Sequence, residues 1–493
     1  MLRKIIYYIN NNIDLFVIIN IYLAVYIYAI TYIPEAVIPP KGTDPFCFDI
    51  LTDIMLKRGF LLKDFSTYFF SPLDVYFLFL IKVISTDPVM FFKLVILIQL
   101  TVFIISAVYF KKILGLLFRG FIIKTGFYLY CLYPPLIFYA ITPVQEIITV
   151  SALVFAIYNL MVFAQSGKKS RIFLAGIFFS IVFNMRMTVF FITPVLVWFI
   201  YQRKKLNHTI IFLFGLSIFI LPFGLRNFIV GRQMVLLSSV SGIHFYIGNH
   251  SKALGVYTFI KGIRPSAFGH YIDTKRIAEK ELGHKLSDKQ VNAYWKKSAW
   301  NYICGNPFES LKLYLKKLVL LANYEEIPNN YGFDYFKNNY FPFKLLNYPY
   351  SFSILFIGGI MGLIFSKIRF RRFFLLNFII LFLVSGVIFV TSRYRLHMVV
   401  FLMIGICGGI DAVLNKEIRL SLKLISCALI LTVITYYPIF DLKEKFYLTS
   451  KRKHNQSAKL YAVYMWAERD VFFEYYANIK RGYLKKFISA DLM

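Results

Sequence analysis

Acidic side chains are scarce in this chain. Its 493 residues include 25 Asp and Glu against 56 Lys and Arg, a formal charge of +31. Charged residues of either sign amount to 16%, while 58% are hydrophobic and 19% aromatic. That balance excludes an ordinary soluble domain. Histidines are few and dispersed, and neither HExxH nor GxxxxGK(S/T) occurs, so the signatures of zinc hydrolases and P-loop enzymes are absent. Cys47, Cys131, Cys304, Cys407 and Cys427 are scattered without CxxC spacing, and no metal site or disulfide framework follows from them. The chain has no repeat of roughly 20–50 residues and no inverted halves of the transporter kind. No small-residue cleavage site follows the basic start Met1-Leu2-Arg3-Lys4, so the first apolar segment reads as an uncleaved span.

What the chain does have is a series of long apolar runs. A helix needs about 20 mostly apolar residues to cross a bilayer. A closed β-barrel is the other spanning solution, but these runs are too long and continuous for alternating strands. The expected fold class is an all-α polytopic membrane protein. Most Lys and Arg sit in short clusters between the runs, the pattern of the positive-inside rule. The basic balance therefore points to anionic membrane lipids and not to nucleic acid.

With the clusters as cytoplasmic markers, expected spans cover 13–33, 89–110, 120–140, 147–164, 172–183, 188–201, 209–221, 351–365, 373–390, 398–413 and 420–437. The total is about 11 transmembrane helices, with the N-terminus cytoplasmic and the C-terminus outside. The run 69–85 is short and carries Asp74 and Lys82. Were it a span, Lys111 and Lys112 would fall outside, so it reads as an interfacial helix of the first outer loop. The stretch 308–321 is an interfacial helix or one more span; Lys312, Lys316 and Lys317 favour the interface. The expected organisation is a transmembrane module over 1–225 with its outer loop at 34–87, an extracytoplasmic loop domain over 226–348, C-terminal transmembrane helices over 349–439, and a basic amphipathic tail over 440–493.

On this topology the polar residues gather at one face. Asp44, Asp49, Glu146, Arg226, Asn249, Arg393 and Arg395 all fall at outer ends of spans or in outer loops. Acid and base groups collected at one membrane face form a candidate active site. Asp44 precedes Pro45, and nearby aromatics can shield one side of it. Such a carboxylate serves as a base towards a hydroxyl or as a turn or helix-cap residue. Asp49 and Asp53 fit a solvated helix face. Glu146 opens a span, where a helix N-terminus favours a carboxylate in any case. Arg393 and Arg395 flank Tyr394 just beyond a span; their planar forks suit a phosphate or a lipid headgroup. Arg186, between two short spans, faces outward and needs an anionic partner. Asn249-His250-Ser251 has the spacing of a glycosylation sequon.

The order of these residues resembles the C-type glycosyltransferase superfamily (GT-C). These are multi-span enzymes that take a sugar from a polyprenyl phosphate, and they include protein O-mannosyltransferases, lipid A aminoarabinose transferases and oligosaccharyltransferase catalytic subunits. Asp44-Pro45 with Gly59-Phe60 resembles the first-loop motif, and Ser71-Pro72-Leu73-Asp74-Val75-Tyr76 the element that opens the second interfacial helix. Leu132 to Tyr139 followed by Glu146 is similar to the segment leading to the second acidic residue. Leu221-Pro222-Phe223-Gly224-Leu225-Arg226-Asn227-Phe228 and Arg393-Tyr394-Arg395-Leu396-His397 resemble the Arg-containing elements after a middle span and before a late one.

Some positions depart from the pattern. The proline element lacks its second proline and the neighbouring lysine, His397 stands where proline is usual, and Gln145-Glu146 is not a paired-carboxylate metal motif. The resemblance implies an inverting transferase at the extracytoplasmic face of the cell membrane, moving a sugar from a polyprenyl-phosphate donor to a hydroxyl on a protein, lipid or glycan. Asp44 and Glu146 are its implied catalytic residues. Arg393, Arg395 and Arg226 are the implied phosphate ligands, and Asp49, Tyr76 and Asn249 line the substrate loop. No metal is required, and a divalent ion is allowed but not indicated. A lipid-linked sugar flippase or polysaccharide transporter is the alternative. It would need polar groups at the mid-depth of spans that are mostly apolar at their centres.

Overall fold

Proline marks many of the helix starts. Its missing N–H costs nothing in a first turn, where no intrahelical acceptor exists. The computed structural model describes residues 13–40, 42–204, 206–341, 343, 351–416 and 422–437. Among them regular structure is helical, apart from one isolated parallel bridge between Val256 and Val390. The expectations for Arg3, Lys4 and the tail after Phe440 lie outside the described residues.

The first helix, α1 (Ile13–Tyr32), runs into a single turn, α2 (Pro34–Val37). The first loop then folds into α3 (Asp44–Arg58), which has Pro45 in its first turn and ends at Gly59 with φ of +93°. After α4 (Pro72–Ile84) comes the longest helix, α5 (Pro88–Leu117), where Asp87 accepts a capping bond from the Met90 amide. Next are α6 (Phe121–Cys131) and α7 (Pro134–Ile141), bent by 45° where Pro134 interrupts the run. Then come α8 (Glu146–Ser166), α9 (Lys169–Met185), a 3-10 segment Met187–Ile192 and α10 (Thr193–Lys204). Helices α11 (Leu206–Ser217) and α12 (Leu221–Gly231) are bent by 49° ahead of Pro222.

The polar region that follows holds α13 (Ser241–Gly248), α14 (Ala267–Leu282), α15 (Asp288–Gly305), α16 (Pro307–Ala322) and α17 (Phe333–Asn339). The chain closes with α18 (Phe352–Phe365), α19 (Arg371–Ser385), a 3-10 turn Ser392–Arg395, α20 (Leu396–Leu414) and α21 (Leu422–Tyr436).

Four helical stretches are long and apolar enough to cross a membrane: Ile13–Tyr32, Pro88–Leu117, Glu146–Ser166 and Ser392–Leu414. Each bent pair counted as one span brings the number to six, and Met187–Gln202, Phe352–Phe365 and Leu424–Tyr436 are shorter apolar helices. The expected eleven is therefore not reached by length. Among the described residues each expected run overlaps a helix. Several helices, however, are short, and at about 1.5 Å per residue they do not cover a ~30 Å hydrocarbon core alone. Neither α4 nor α16 is among the candidate spans.

Two cores position the loops. The larger one unites Tyr22 of α1, Phe103 of α5, Phe138 of α7, Leu153 of α8, Phe179 of α9 and Met403 of α20. The second joins Leu51 of α3 and Val75 of α4 to Ile243 of α13, Phe268 of α14 and Trp295 of α15. Residues 243–295 of the expected loop domain thus share an apolar interior with the first loop.

At the far end of α1, the Asp14 carboxylate accepts from Lys111 Nζ at 3.1 Å and from the Tyr128 hydroxyl at 2.9 Å. At the near end, Glu35 accepts from the hydroxyls of Tyr335 at 3.1 Å and Tyr340 at 2.7 Å. A helix of 20 residues separates these two polar layers by about 30 Å. Between them α1 presents Phe16, Ile19, Leu23 and Ile27 outward, an apolar stripe suited to lipid.

Small residues let two helices touch. A Cβ on Gly362 of α18 would collide with the Gly405 carbonyl of α20, and one on Gly405 with the Gly359 carbonyl. Close crossings of this kind are a common packing device in lipid. Gly362→Val should force the pair apart at a cost of about 1–3 kcal/mol, read as a lower thermal midpoint of the detergent-purified protein. An unchanged midpoint would contradict this packing.

Candidate active site

Helix ends and loops bring together side chains from distant parts of the chain. Asp44 starts α3, and the amide of Asn330 clamps it. The Asp44 backbone N–H donates to Asn330 Oδ1 at 3.3 Å, and Asn330 Nδ2 donates to Asp44 Oδ2 at 2.6 Å. Arg393 Nη1 donates to the same Oδ2 at 3.0 Å across 349 positions of sequence. Its turn is fixed by backbone bonds, with Val390 N–H donating to the Gly255 carbonyl at 2.8 Å and Ser392 N–H to the Ile327 carbonyl at 3.0 Å.

Arg393 Nη1 also lies 3.6 Å from Glu146 Oε1. Glu146 opens α8 with its side chain 0% exposed, and Arg186 donates to the same oxygen from Nη2. The Arg186 guanidinium lies 5.0 Å from the Tyr394 ring centroid, within reach of a cation–π contact. One guanidinium therefore bridges two carboxylates, and a second closes the row. Glu146 Oε2, Arg186 Nε and Arg393 Nε are buried without a hydrogen-bond partner among the described residues. Native interiors leave few such atoms unsatisfied, so this corner is suited to a polar ligand. Asp44 is recessed among protein atoms yet keeps 32% of its side-chain surface open, which makes it the accessible end of the row.

Asp74 joins the group from the first turn of α4. That helix start is pinned: the Leu73 N–H donates to Asn184 Oδ1 at 3.1 Å, and the Ser71 hydroxyl donates to the Asn184 carbonyl at 2.9 Å. Asn184 lies two residues before Arg186. Asp74 is buried and makes no hydrogen bond or ion pair among the described residues. On α13, the His244 ring packs edge-on to Phe389 and to His270, whose Nε2 lies 2.8 Å from the Tyr257 hydroxyl.

These surroundings separate the acids. Burial alone would raise the Asp44 carboxyl, but the charge of Arg393 and the bonds from Asn330 and Arg393 outweigh it and hold Asp44 below the usual range. Burial, then the charges of Glu146 and Asp44, push Asp74 up to about 8. Burial, then neighbouring His270, push His244 down to about 3, so its imidazole is neutral. Carboxyls driven apart in this way are a mark of functional sites.

The other residues singled out from sequence lie elsewhere. Arg395 donates from Nη2 to the carbonyls of Leu320 and Glu325, both at 2.8 Å, and pairs with Glu326 at 3.5 Å. Arg226 donates to the carbonyls of Leu61, Leu62, Phe65 and Ser66 and covers the Tyr68 ring. Their forks are occupied by loop backbone, and this geometry gives no support to their expected place on a phosphate.

Asp49, expected in the substrate loop, accepts from Lys82 Nζ at 2.6 Å and ties α3 to α4. Asp53, expected on a solvated face, also pairs with Lys82, at 3.3 Å. Tyr76 donates to the Phe60 carbonyl at 2.6 Å. Asn249 is buried, donating to the Phe245 and Val387 carbonyls and accepting from Lys317; its side chain is not presented to a glycosylating enzyme.

Sequence reading missed Asn330 and His244, which sit in stretches without a recognisable pattern. Asp74 carried a signal, an acid inside an apolar run. The anionic partner that Arg186 requires is Glu146. Among the described residues no cluster of three or more His, Cys, Asp or Glu is arranged to hold a metal ion.

No protein-family model and no curated protein matches the chain. Among solved structures it is similar to an Archaeoglobus fulgidus oligosaccharyltransferase in complex with Zn and sulfate, at 14% identity and a TM-score of 0.40, over 86% of this chain and 52% of that one. It is also similar to the archaeal oligosaccharyltransferase AglB from Archaeoglobus fulgidus bound to an inhibitory peptide and a dolichol-phosphate, at 13% identity and a TM-score of 0.38, over 85% and 55%. The chain thus spans about half the length of these proteins.

Removing one partner of a buried ion pair strands the other charge, typically at about 3–5 kcal/mol. Arg186→Met should therefore destabilise the protein on that scale, and Arg186→Met with Glu146→Leu should recover most of the loss. The check is chemical denaturation in detergent; a single variant as stable as the parent would contradict the buried pair.

Proposed function

We propose that this protein is an integral-membrane glycosyltransferase of the C type, moving a sugar from a polyprenyl-phosphate donor to an acceptor hydroxyl at the extracytoplasmic face. One observation carries the reading: Arg393 joins the accessible carboxylate of Asp44 to the buried carboxylate of Glu146. A base and a phosphate-binding cation stand side by side, at the polar end of helices whose outward surface is apolar. The sequence motifs around Asp44, Glu146 and Arg393 are those on which the GT-C resemblance rests.

The resting pair is poorly basic, because a carboxylate held by a guanidinium gives up its affinity for protons. The entering phosphate resolves this. Arg393 turns its fork from Asp44 to the phosphate, and Glu146, locked by Arg186, keeps Arg393 in place. Asp44, freed of its counter-charge, takes the proton of the acceptor hydroxyl. The acceptor oxygen bonds to the anomeric carbon as that carbon's bond to the phosphate oxygen breaks, and the electron pair leaves with the polyprenyl phosphate. Arg393 neutralises the departing charge in a water-poor corner, where such stabilisation is large. A single displacement inverts the anomeric centre. Glu146 acts through Arg393 and does not touch the acceptor. Arg226 and Arg395 build the loops that present the site.

The donor's prenyl chain would lie along the apolar stripe of α1 and its neighbours. The N-terminus would be cytoplasmic, the membrane the cell membrane, and the acceptor a protein, lipid or glycan. Asp44→Asn should lower transfer from a prenyl-phosphate sugar by about 10²–10⁴-fold while expression and donor binding persist. Arg393→Ala should weaken donor binding itself. Single-turnover transfer of radiolabelled sugar in proteoliposomes is the assay, and parental activity in Asp44→Asn sinks the reading.

A further inference from the structure

Two guanidiniums and three carboxyls share the corner described above, and the charges do not match. Arg186 neutralises Glu146, and Arg393 neutralises Asp44 while reaching Glu146. Asp74 is left over. It is 4% exposed and has neither a cation nor a hydrogen-bond donor of its own among the described residues. The charged groups that act on it come from each neighbouring element: Asp44 of α3, Glu146 of α8, Arg186 after α9 and Arg393 before α20. An ionised carboxylate left unpaired in a buried site is strongly disfavoured. An incoming phosphate adds one more negative charge and draws Arg393 towards itself, which makes ionisation of Asp74 less favourable still.

A neutral carboxyl offers what an ionised one does not, an O–H that donates to an anion. Hydrogen bonds to charged groups are stronger than neutral ones. The pinned start of α4 holds the Asp74 side chain where the charges of Glu146, Asp44, Arg186 and Arg393 act on it.

We propose that Asp74 is a phosphate-binding residue of the donor site, holding the donor's phosphodiester through a hydrogen bond from its protonated carboxyl. This deepens the glycosyltransferase reading and rests on it. The upward displacement of the Asp74 carboxyl to about 8 agrees with that role. The sign follows directly: donor binding is full below that value and is lost as pH rises through it.

The test measures binding of farnesyl methyl phosphate to the full-length protein in detergent between pH 6 and 10. This phosphodiester keeps one negative charge over the whole range and has no sugar to be mismatched. Affinity of the parent should be level up to about pH 7 and then fall by about tenfold per pH unit above the carboxyl's midpoint. Asp74→Asn keeps an N–H donor that cannot ionise. It should bind within about threefold of the parent at pH 7 and stay level to pH 10. An alkaline fall preserved in Asp74→Asn overturns the proposal, as does a parental curve with no fall, which needs no variant to be folded. Binding that tracks pH as stated, without sugar transfer from any prenyl-phosphate sugar, would support the Asp74 role and refute the transferase. No binding of the phosphodiester at any pH refutes both.

Discussion

The arrangement of the loops around the site depends on the guanidinium of Arg393, shared between a partly exposed carboxylate and a fully buried one. Burying Glu146 completely is affordable only beside cations, because an isolated ionised carboxylate in a low-dielectric interior is strongly disfavoured. Arg186 and Arg393 supply that compensation from the ends of α9 and α20. They thereby fix where α8 begins relative to both. The Arg393–Asp44 bond then draws the start of α3 into the same place. The charge row is thus a structural tie and a site at once, and its unsatisfied Nε and Oε2 atoms are where a ligand would complete it.

Around that row the loops are held by polar side chains that reach backbone, as loops without regular structure require. Arg226 gathers the carbonyls of Leu61, Leu62, Phe65 and Ser66, in a segment that contains a positive φ at Leu62. Asn227 accepts from the Tyr68 amide at 2.9 Å and donates to the carbonyls of Val235 and Leu237. Asp288 accepts from Ser66 and Thr67. Arg395 does the same work for 320–326. These arginines sit in motifs whose resemblance implied phosphate contact, and their geometry makes them supports of the loops that hold Asp44 and Arg393. The short distance from Arg393 to Arg395 in sequence hides a reversal of direction in the 3-10 turn, which aims one fork at the site and the other at the carbonyls behind it.

The apolar part of the molecule was read well at the level of which stretches form helices and less well as a tally of spans. The run 120–140 looks continuous in composition, yet Pro134 breaks the backbone path, and the helix in the run 209–221 already ends at Ser217, ahead of Pro222. The polar stretch after Arg226 looks like a separate unit because its composition changes. Its Ile243, Phe268 and Trp295 pack in one core with Leu51, Phe65 and Val75. This shared core packs α13, which carries His244, against the first loop.

Class and the list of suspect residues were legible in the amino-acid sequence alone. They depend on local properties: the length of an apolar run, the position of a proline, the end of a span at which a charge falls. Scarcity helped, since few acids compete for attention near the membrane, and Asp44, Glu146 and the demand of Arg186 for an anion were all visible. Only the tertiary structure decided which charges pair. Asp44 meets Asn330 and Arg393 across 286 and 349 positions of sequence, Asp74 has no partner among the described residues, and Arg395 bonds the carbonyls of Leu320 and Glu325. Pairing depends on the direction of each side chain and on which loops lie side by side. Those are set by packing across the whole chain, and no local pattern encodes them.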